Sequence, residues 1–86
     1  MLTIYGSMMC PDCVACRKEL DEAGVEYTYL DFAEDLRNLK AFLALRDTDP
    51  VFAQVRAEGK IGIPCILDEQ GSVTLDWSIY VGQDQA

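Results

Sequence analysis

Hydrophobic and polar positions change period several times along the chain, and each change marks an element. Leu2 to Tyr5 ("LTIY") is a short β-prone run that stops at Gly6 and Ser7, which predicts a first strand and a turn. From Pro11 the period lengthens. Val14, Ala15, Leu20 and Ala23 interleave with Arg17, Lys18, Glu19, Asp21 and Glu22, a helical spacing that Gly24 ends. Pro11 suits the first helical position because its φ is already helical and it has no N–H to leave unpaired. In the segment Val25 to Phe32, the residues Val25, Tyr27, Tyr29 and Asp31 alternate with Glu26, Thr28, Leu30 and Phe32, the period of a second strand. Leu36, Leu39, Phe42, Leu43 and Leu45 return to helical spacing, with Asp35 at the positive end of the dipole. Asp49 and Pro50 read as N-cap and first position of a further short helix with the apolar face Val51, Phe52 and Val55, and Gly59 follows it. "IPCIL", the turn signal "DEQG" and "SVTL" predict a β-hairpin, and Trp77 to Ala86 have room for a short closing helix or a tail.

The order is therefore β-α-β, one or two helices, then β-β and a terminal helix. A βαβ opening makes the first two strands parallel, and the hairpin adds antiparallel strands to the same sheet. Four short strands covered by helices on both faces form an α/β sandwich whose first helix begins at a group of cysteines. The 86 residues are expected to make one small domain, 1–86, because a chain this short has no room for a second core.

Charge narrows the chemistry. Fifteen acidic residues against seven scattered basic ones give a net charge of -8, a field that repels phosphate backbones and anionic membranes. Nucleic-acid and membrane partners are therefore not expected. The chain has no His, so the commonest general base and metal ligand are both missing. "MLTIYGS" lacks the positive leading segment and apolar run of a signal peptide, and no later stretch reaches the length of a membrane span. The expected location is the cytoplasm, where four cysteines point to catalysis or metal binding rather than a permanent disulfide framework.

Three of those cysteines lie in "CPDCVAC", Cys10 to Cys16. Cys10 falls where strand gives way to helix, so unpaired backbone N–H groups and the positive end of the dipole favour its thiolate, the nucleophilic form. Cys13, one turn later on nearly the same face, is placed to attack a mixed disulfide formed on Cys10. Asp12 opposes the effect, since its carboxylate competes for the same donors and repels a neighbouring thiolate. Downstream, "GIPC" (Gly62 to Cys65) puts a proline where a strand begins, which marks a strand start, an edge or a cis peptide.

Taken together these residues resemble the thioredoxin superfamily, and specifically glutaredoxins. "IYGSMMCPDC" is similar to that family's first strand, turn and C-P-x-C active site, and "GIP" is similar to its T-V-P segment. The resemblance implies a thioredoxin-like, glutaredoxin-type βαβ-α-ββ-α sandwich with a four-stranded mixed sheet. It implies a cis Pro64 packed against the Cys10/Cys13 pair, leaving the Ile63 backbone to pair with a bound thiol-containing peptide. The implied activity is thiol-disulfide exchange on protein or glutathione mixed disulfides, with Cys10 as nucleophile and Cys13 as resolving thiol. Met9, Pro11, Asp12, Ile63, Pro64 and Asp76 are the expected substrate-binding residues. No tightly bound cofactor or metal is expected. Glutathione is the candidate co-substrate, glutathione or a reductase the electron donor, disulfide-containing proteins the substrates, and a monomer the expected state.

The chain departs from the family in two places. Glutaredoxins usually carry a Lys shortly before the first cysteine, where this chain has Gly6, Ser7, Met8 and Met9, and a G-G-x-D segment where it has "TLDWS". Asp76 is then the candidate equivalent of the family's Asp, or an N-cap of the closing helix. Met8 and Met9 are candidates for an apolar rim or for plain packing and exposure, Trp77 for core, and Tyr5 for a core aromatic at the border of the site. Cys16 is expected to be an inert core thiol and Cys65 an auxiliary thiol near the site.

Two rival functions stand beside the redox reading. Cys10, Cys13, Cys16 and Cys65 form a C-x2-C-x2-C plus a distant fourth thiol, a metal-like set. On one helix, however, Cys10 and Cys16 are separated by about 9 Å of rise, whereas two zinc-bound sulfurs lie within about 5 Å of each other. A cluster shared through Cys10 of two protomers avoids that conflict. The other rival is a binding module that uses the scaffold without turnover.

Overall fold

In the computed structural model, which describes residues 1–81, β1 (Leu2–Gly6) lies parallel to β2 (Tyr27–Asp31). Leu2 stands opposite Tyr27, Ile4 opposite Tyr29 and Gly6 opposite Asp31. The other edge of β1 runs antiparallel to β3 (Cys65–Leu67), which pairs antiparallel with the short β4 (Val73–Thr74). The resulting order, β2-β1-β3-β4, is the mixed four-stranded sheet that the βαβ opening and terminal hairpin require.

Strand alternation divides the core into two layers. Leu2, Ile4 and Ile66 face α1 (Pro11–Glu22) and join Cys16 and Leu20 in one buried cluster, against which Trp77, Tyr80 and Val81 of the closing segment pack. The opposite face buries Cys65 under Phe42 of α2 (Leu36–Thr48) and Phe52 of the 3-10 turn Pro50–Phe52, which leads into α3 (Ala53–Ala57). Phe42 and Phe52 meet edge to face at 5.7 Å between ring centroids, a geometry that adds about 0.5–1.5 kcal/mol beyond the area it buries. Both rings are fully buried.

Helix starts follow the polar residues expected of them. The Asp35 carboxylate accepts from the Arg37 N–H at 2.8 Å, and the Asp49 carboxylate accepts from the Val51 N–H at 3.0 Å. In the hairpin turn Asp68 Oδ1 accepts from the N–H groups of Gln70 and Ser72, at 2.8 and 2.9 Å. β1 runs one residue further than its apolar pattern predicts, to Gly6, whereas β2, β3 and β4 are shorter, for local reasons. Val25 ends α1, its N–H donating to the Leu20 carbonyl at 3.0 Å, so β2 begins at Tyr27. Pro64 has no N–H for the ladder, so β3 begins at Cys65. The closing segment forms α4 (Ser78–Val81), and residues 82–86 lie outside the described part of the chain. Among the described residues no helix is long and apolar enough to cross a membrane.

Candidate active site

The site begins where β1 ends. The Cys10 N–H donates to the Ser7 carbonyl at 3.1 Å, and the Met9 N–H donates to Ser7 Oγ at 3.1 Å, which closes a tight loop between strand and helix. Cys10 is itself the N-cap of α1, in extended backbone, with Pro11 directly after it. Its side chain takes no capping hydrogen bond, so the first-turn N–H groups are left to the sulfur when it is charged. Cys10 is partly exposed; Cys13, one turn deeper, is fully buried.

That difference in burial separates the two thiols chemically. Desolvation pushes the Cys13 thiol up to about 11, and the negative charge of Cys10 adds to the rise. The Ser7 backbone N–H and the Tyr29 hydroxyl face the same sulfur and pull the other way. Cys13 is therefore held as a thiol beside the more accessible Cys10.

Opposite Cys10 lies the loop before β3, in which the Ile63–Pro64 peptide bond is cis, as the resemblance implies. Pro64 is buried. A cleft of about 410 Å³ separates this loop from the helix start, lined by Cys10, Asp12, Lys60, Ile61, Ile63 and Leu75 among others. Gly62 turns the loop with φ +93°, and a Cβ there would press on the Phe52 ring at 3.0 Å, so both backbone and packing require glycine. Arg46 of α2 fixes the approach to this turn, its Nε donating to the Ile61 carbonyl at 2.8 Å.

The expected site residues divide into three groups. Cys10, Cys13, Asp12 and Ile63 converge at the cleft or directly beneath it, with Pro11 exposed at the helix start and Pro64 buried under the loop. Met9 is 92% exposed and lines no described cleft, whereas Met8 Sδ accepts from Arg17 at 3.3 Å. Asp76 is engaged at the start of α4, where Oδ1 accepts from the Ser78 N–H and Oγ at 3.0 and 2.6 Å; Leu75 is the residue of that segment that reaches the cleft. Trp77 packs on the core and its Nε1 donates to Glu19 at 3.1 Å.

The remaining thiols sit on opposite sides of the sheet. Cys16 belongs to the core under α1 and is pushed up to about 12, by burial first and then by the neighbouring Cys13 and Glu19 charges. Cys65 points into the Phe42 and Phe52 layer, away from α1, and burial pushes it up to about 12 with a contribution from Asp49. α1 runs unbroken through Cys13 and Cys16, and among the described residues no three His, Cys, Asp or Glu side chains converge as metal ligands.

Four residues of the site had no signal in the sequence strong enough to single them out. Lys60, on the loop between α3 and β3, is the cationic residue among those lining the Cys10 cleft. Gly6 and Tyr29 come together under Cys13, and the Arg17 guanidinium lies 4.4 Å from the centre of the Tyr29 ring.

A mixed sheet that carries C-x-x-C at the start of its crossover helix, across a cleft from a cis-proline loop, defines a redox protein of the thioredoxin fold. The chain belongs to the glutaredoxin family, whose model, described as Glutaredoxin, matches residues 2–67. It is also 42% identical over 75 residues to an uncharacterized protein of Haemophilus influenzae, with 87% of each chain covered. No solved structure matches it.

Proposed function

We propose that the protein is a dithiol thiol-disulfide oxidoreductase acting on protein or glutathione mixed disulfides. The observation that carries this reading is the pairing of an accessible Cys10 at a helix N-terminus and cleft mouth with a buried Cys13 one turn below it. Cys10 attacks a substrate disulfide, forming a Cys10–substrate bond and releasing the other half as a thiolate. Cys13 then attacks Cys10 Sγ, releasing the second half and leaving the Cys10–Cys13 disulfide, which two electrons from glutathione or a reductase return to the dithiol. Ile63, whose backbone takes part in no turn, loop or cap hydrogen bond among the described residues, is the residue of the cleft suited to hold the substrate main chain. Glutathione, anionic at neutral pH, would meet Lys60 where the family's usual Lys is missing.

The deciding experiment is glutathione-dependent reduction of a small mixed disulfide by wild type, Cys10→Ser and Cys13→Ser. Activity lost in both variants supports the dithiol mechanism; activity lost in Cys10→Ser and retained in Cys13→Ser would establish a monothiol glutathione mechanism instead, with Cys10 as nucleophile and glutathione as donor. No turnover, with an oxidant-induced Cys10–Cys13 disulfide still forming, transfers the donor role to a protein reductase. A wild type that neither turns over nor forms that disulfide would sink the reading.

A further inference from the structure

The β1 row that faces α1, Leu2 and Ile4, ends in Gly6, alongside the β2 row Tyr27, Tyr29 and Asp31. At Gly6 the space for a side chain is already occupied. A Cβ there would lie 2.7 Å from Tyr29 Oη and 2.8 Å from Cys13 Sγ, so the phenol of β2 and the buried thiol of α1 meet over the same glycine. The Tyr29 hydroxyl is buried and makes no aligned hydrogen bond to any described residue. A buried hydroxyl without a partner is unfavourable, and such groups recur where a function needs them. Arg17 and Asp31 are standing charges near this phenol, and the charge that appears during exchange is on Cys13.

We propose, on the reading of Cys13 as the resolving thiol, that Tyr29 is a positioning residue for dithiol exchange, its O–H donating to Cys13 Sγ whenever that sulfur carries negative charge. In the resolution step Cys13 gives up its proton, which ends on the departing substrate sulfur, and its thiolate attacks Cys10 Sγ. The Cys10–Cys13 bond forms as the Cys10–substrate bond breaks, and the electron pair leaves on the substrate sulfur, which takes up a proton. The two cysteines are oxidised and the substrate disulfide is reduced. Returning to the dithiol, an incoming thiolate attacks Cys10 and Cys13 leaves as the anion, again in front of Tyr29.

The surroundings make Tyr29 a donor and not a base. Burial, the Cys13 charge and Asp31 all push the phenol's ionisation up, opposed by Arg17, so the proton stays on oxygen. The Arg17 guanidinium over the ring fixes its tilt and draws on its electron density, which strengthens the O–H as a donor. The groups facing the pair are Cys10 at the start of α1, Arg17 on α1 and Asp31 on β2, with the Ser7 N–H as second donor to the sulfur. The off-line contact tightens as Cys13 ionises, as hydrogen bonds at reacting groups do.

An aromatic disulfide, dithiobis-nitrobenzoate, reads the two steps separately. The first nitrothiobenzoate released reports attack by Cys10, and the second, independent of reagent concentration, reports closure by Cys13. Tyr29→Phe is expected to slow the second phase about tenfold, the worth of one hydrogen bond to a charged group, and to move its pH profile toward alkali. The first phase is the internal control for a folded site. Replacing tyrosine biosynthetically with a fluorotyrosine, which strengthens the donor without removing it, is expected to speed the second phase. A second phase unchanged by Tyr29→Phe, or slowed together with the first by the same factor, overturns the proposal while the dithiol reading stands. A wild type with no second phase overturns both.

Discussion

Asp12 stands between the two cysteines, in the first turn of α1 and on the lining of the Cys10 cleft. A carboxylate there satisfies the helix dipole in place of the sulfur and repels a thiolate at the same end. Asp12→Asn is expected to raise the rate of Cys10 alkylation at neutral pH by about two- to fivefold, the range given by a surface charge at a helix end. Iodoacetamide labelling followed by mass spectrometry measures it, and no change or a slower rate would remove Asp12 from control of the nucleophile. Gly6 acts by absence. Gly6→Ala forces a methyl group into the space where Tyr29 Oη and Cys13 Sγ meet, nearer to both than packed atoms come. Overpacking at a buried site of this kind costs about 1–3 kcal/mol, and a lower urea midpoint with an unchanged slope is the expected result.

At the scale of elements, the site is the space between a helix start and a loop that cannot join the sheet. α1 begins at Pro11, after the extended N-cap Cys10, because proline suits a first helical position that has no N–H to pair; β3 begins at Cys65 because Pro64 cannot donate. The interval Gly59 to Pro64 is left outside both neighbours, held by Arg46 from α2, and it brings Lys60 and Ile63 to Cys10. Lys60 is exposed and pairs with Glu58 at 2.9 Å, so it is a modest electrostatic contributor. Lys60→Glu is expected to raise the KM for a glutathione mixed disulfide by about two- to fivefold at low salt, with kcat little changed. An unchanged KM would mean that the substrate's charges lie elsewhere.

The described residues measure 35 × 26 × 25 Å, and the chain carries a net charge of -8. At physiological salt the screening length is about 8 Å, so charges on the far side do not reach the cleft and local ones decide substrate binding. Burial acts on the molecule as a whole through its thiols. Cys13, Cys16 and Cys65 are each fully buried, and their ionisation is pushed from an ordinary 9.0 to about 11, about 12 and about 12. Between those limits the unfolded chain loses protons that the folded chain keeps, so stability falls as pH rises. Full stability is expected below pH 9 and progressive loss from there toward pH 12. Urea titrations across that window check the slope, and Cys16→Ala with Cys65→Ala should flatten it at the cost of lower stability at pH 7.

The sequence by itself determined the element order, the mixed sheet and the placing of Cys10 and Cys13 at a helix start, because strand and helix periods, proline chemistry and C-x-x-C spacing are local. The glutaredoxin resemblance and the readiness of free cysteine to be buried also put Cys16 in the core, where it lies beside Leu20. Strand ends were read too long at Val25 and Ile63, where a helix-ending hydrogen bond and the proline decide what apolar pattern does not. What only the tertiary structure decided is which distant residues meet. Cys65, next to Pro64 in sequence, turns to the layer opposite its strand neighbour Ile66, because adjacent strand residues face opposite sides of the sheet. Gly6, Tyr29 and Cys13 converge because parallel register sets β1 beside β2 and α1 crosses above them. Lys60 reaches the Cys10 cleft from fifty residues away for the same reason: no periodicity along a chain encodes which loops a folded sheet brings together.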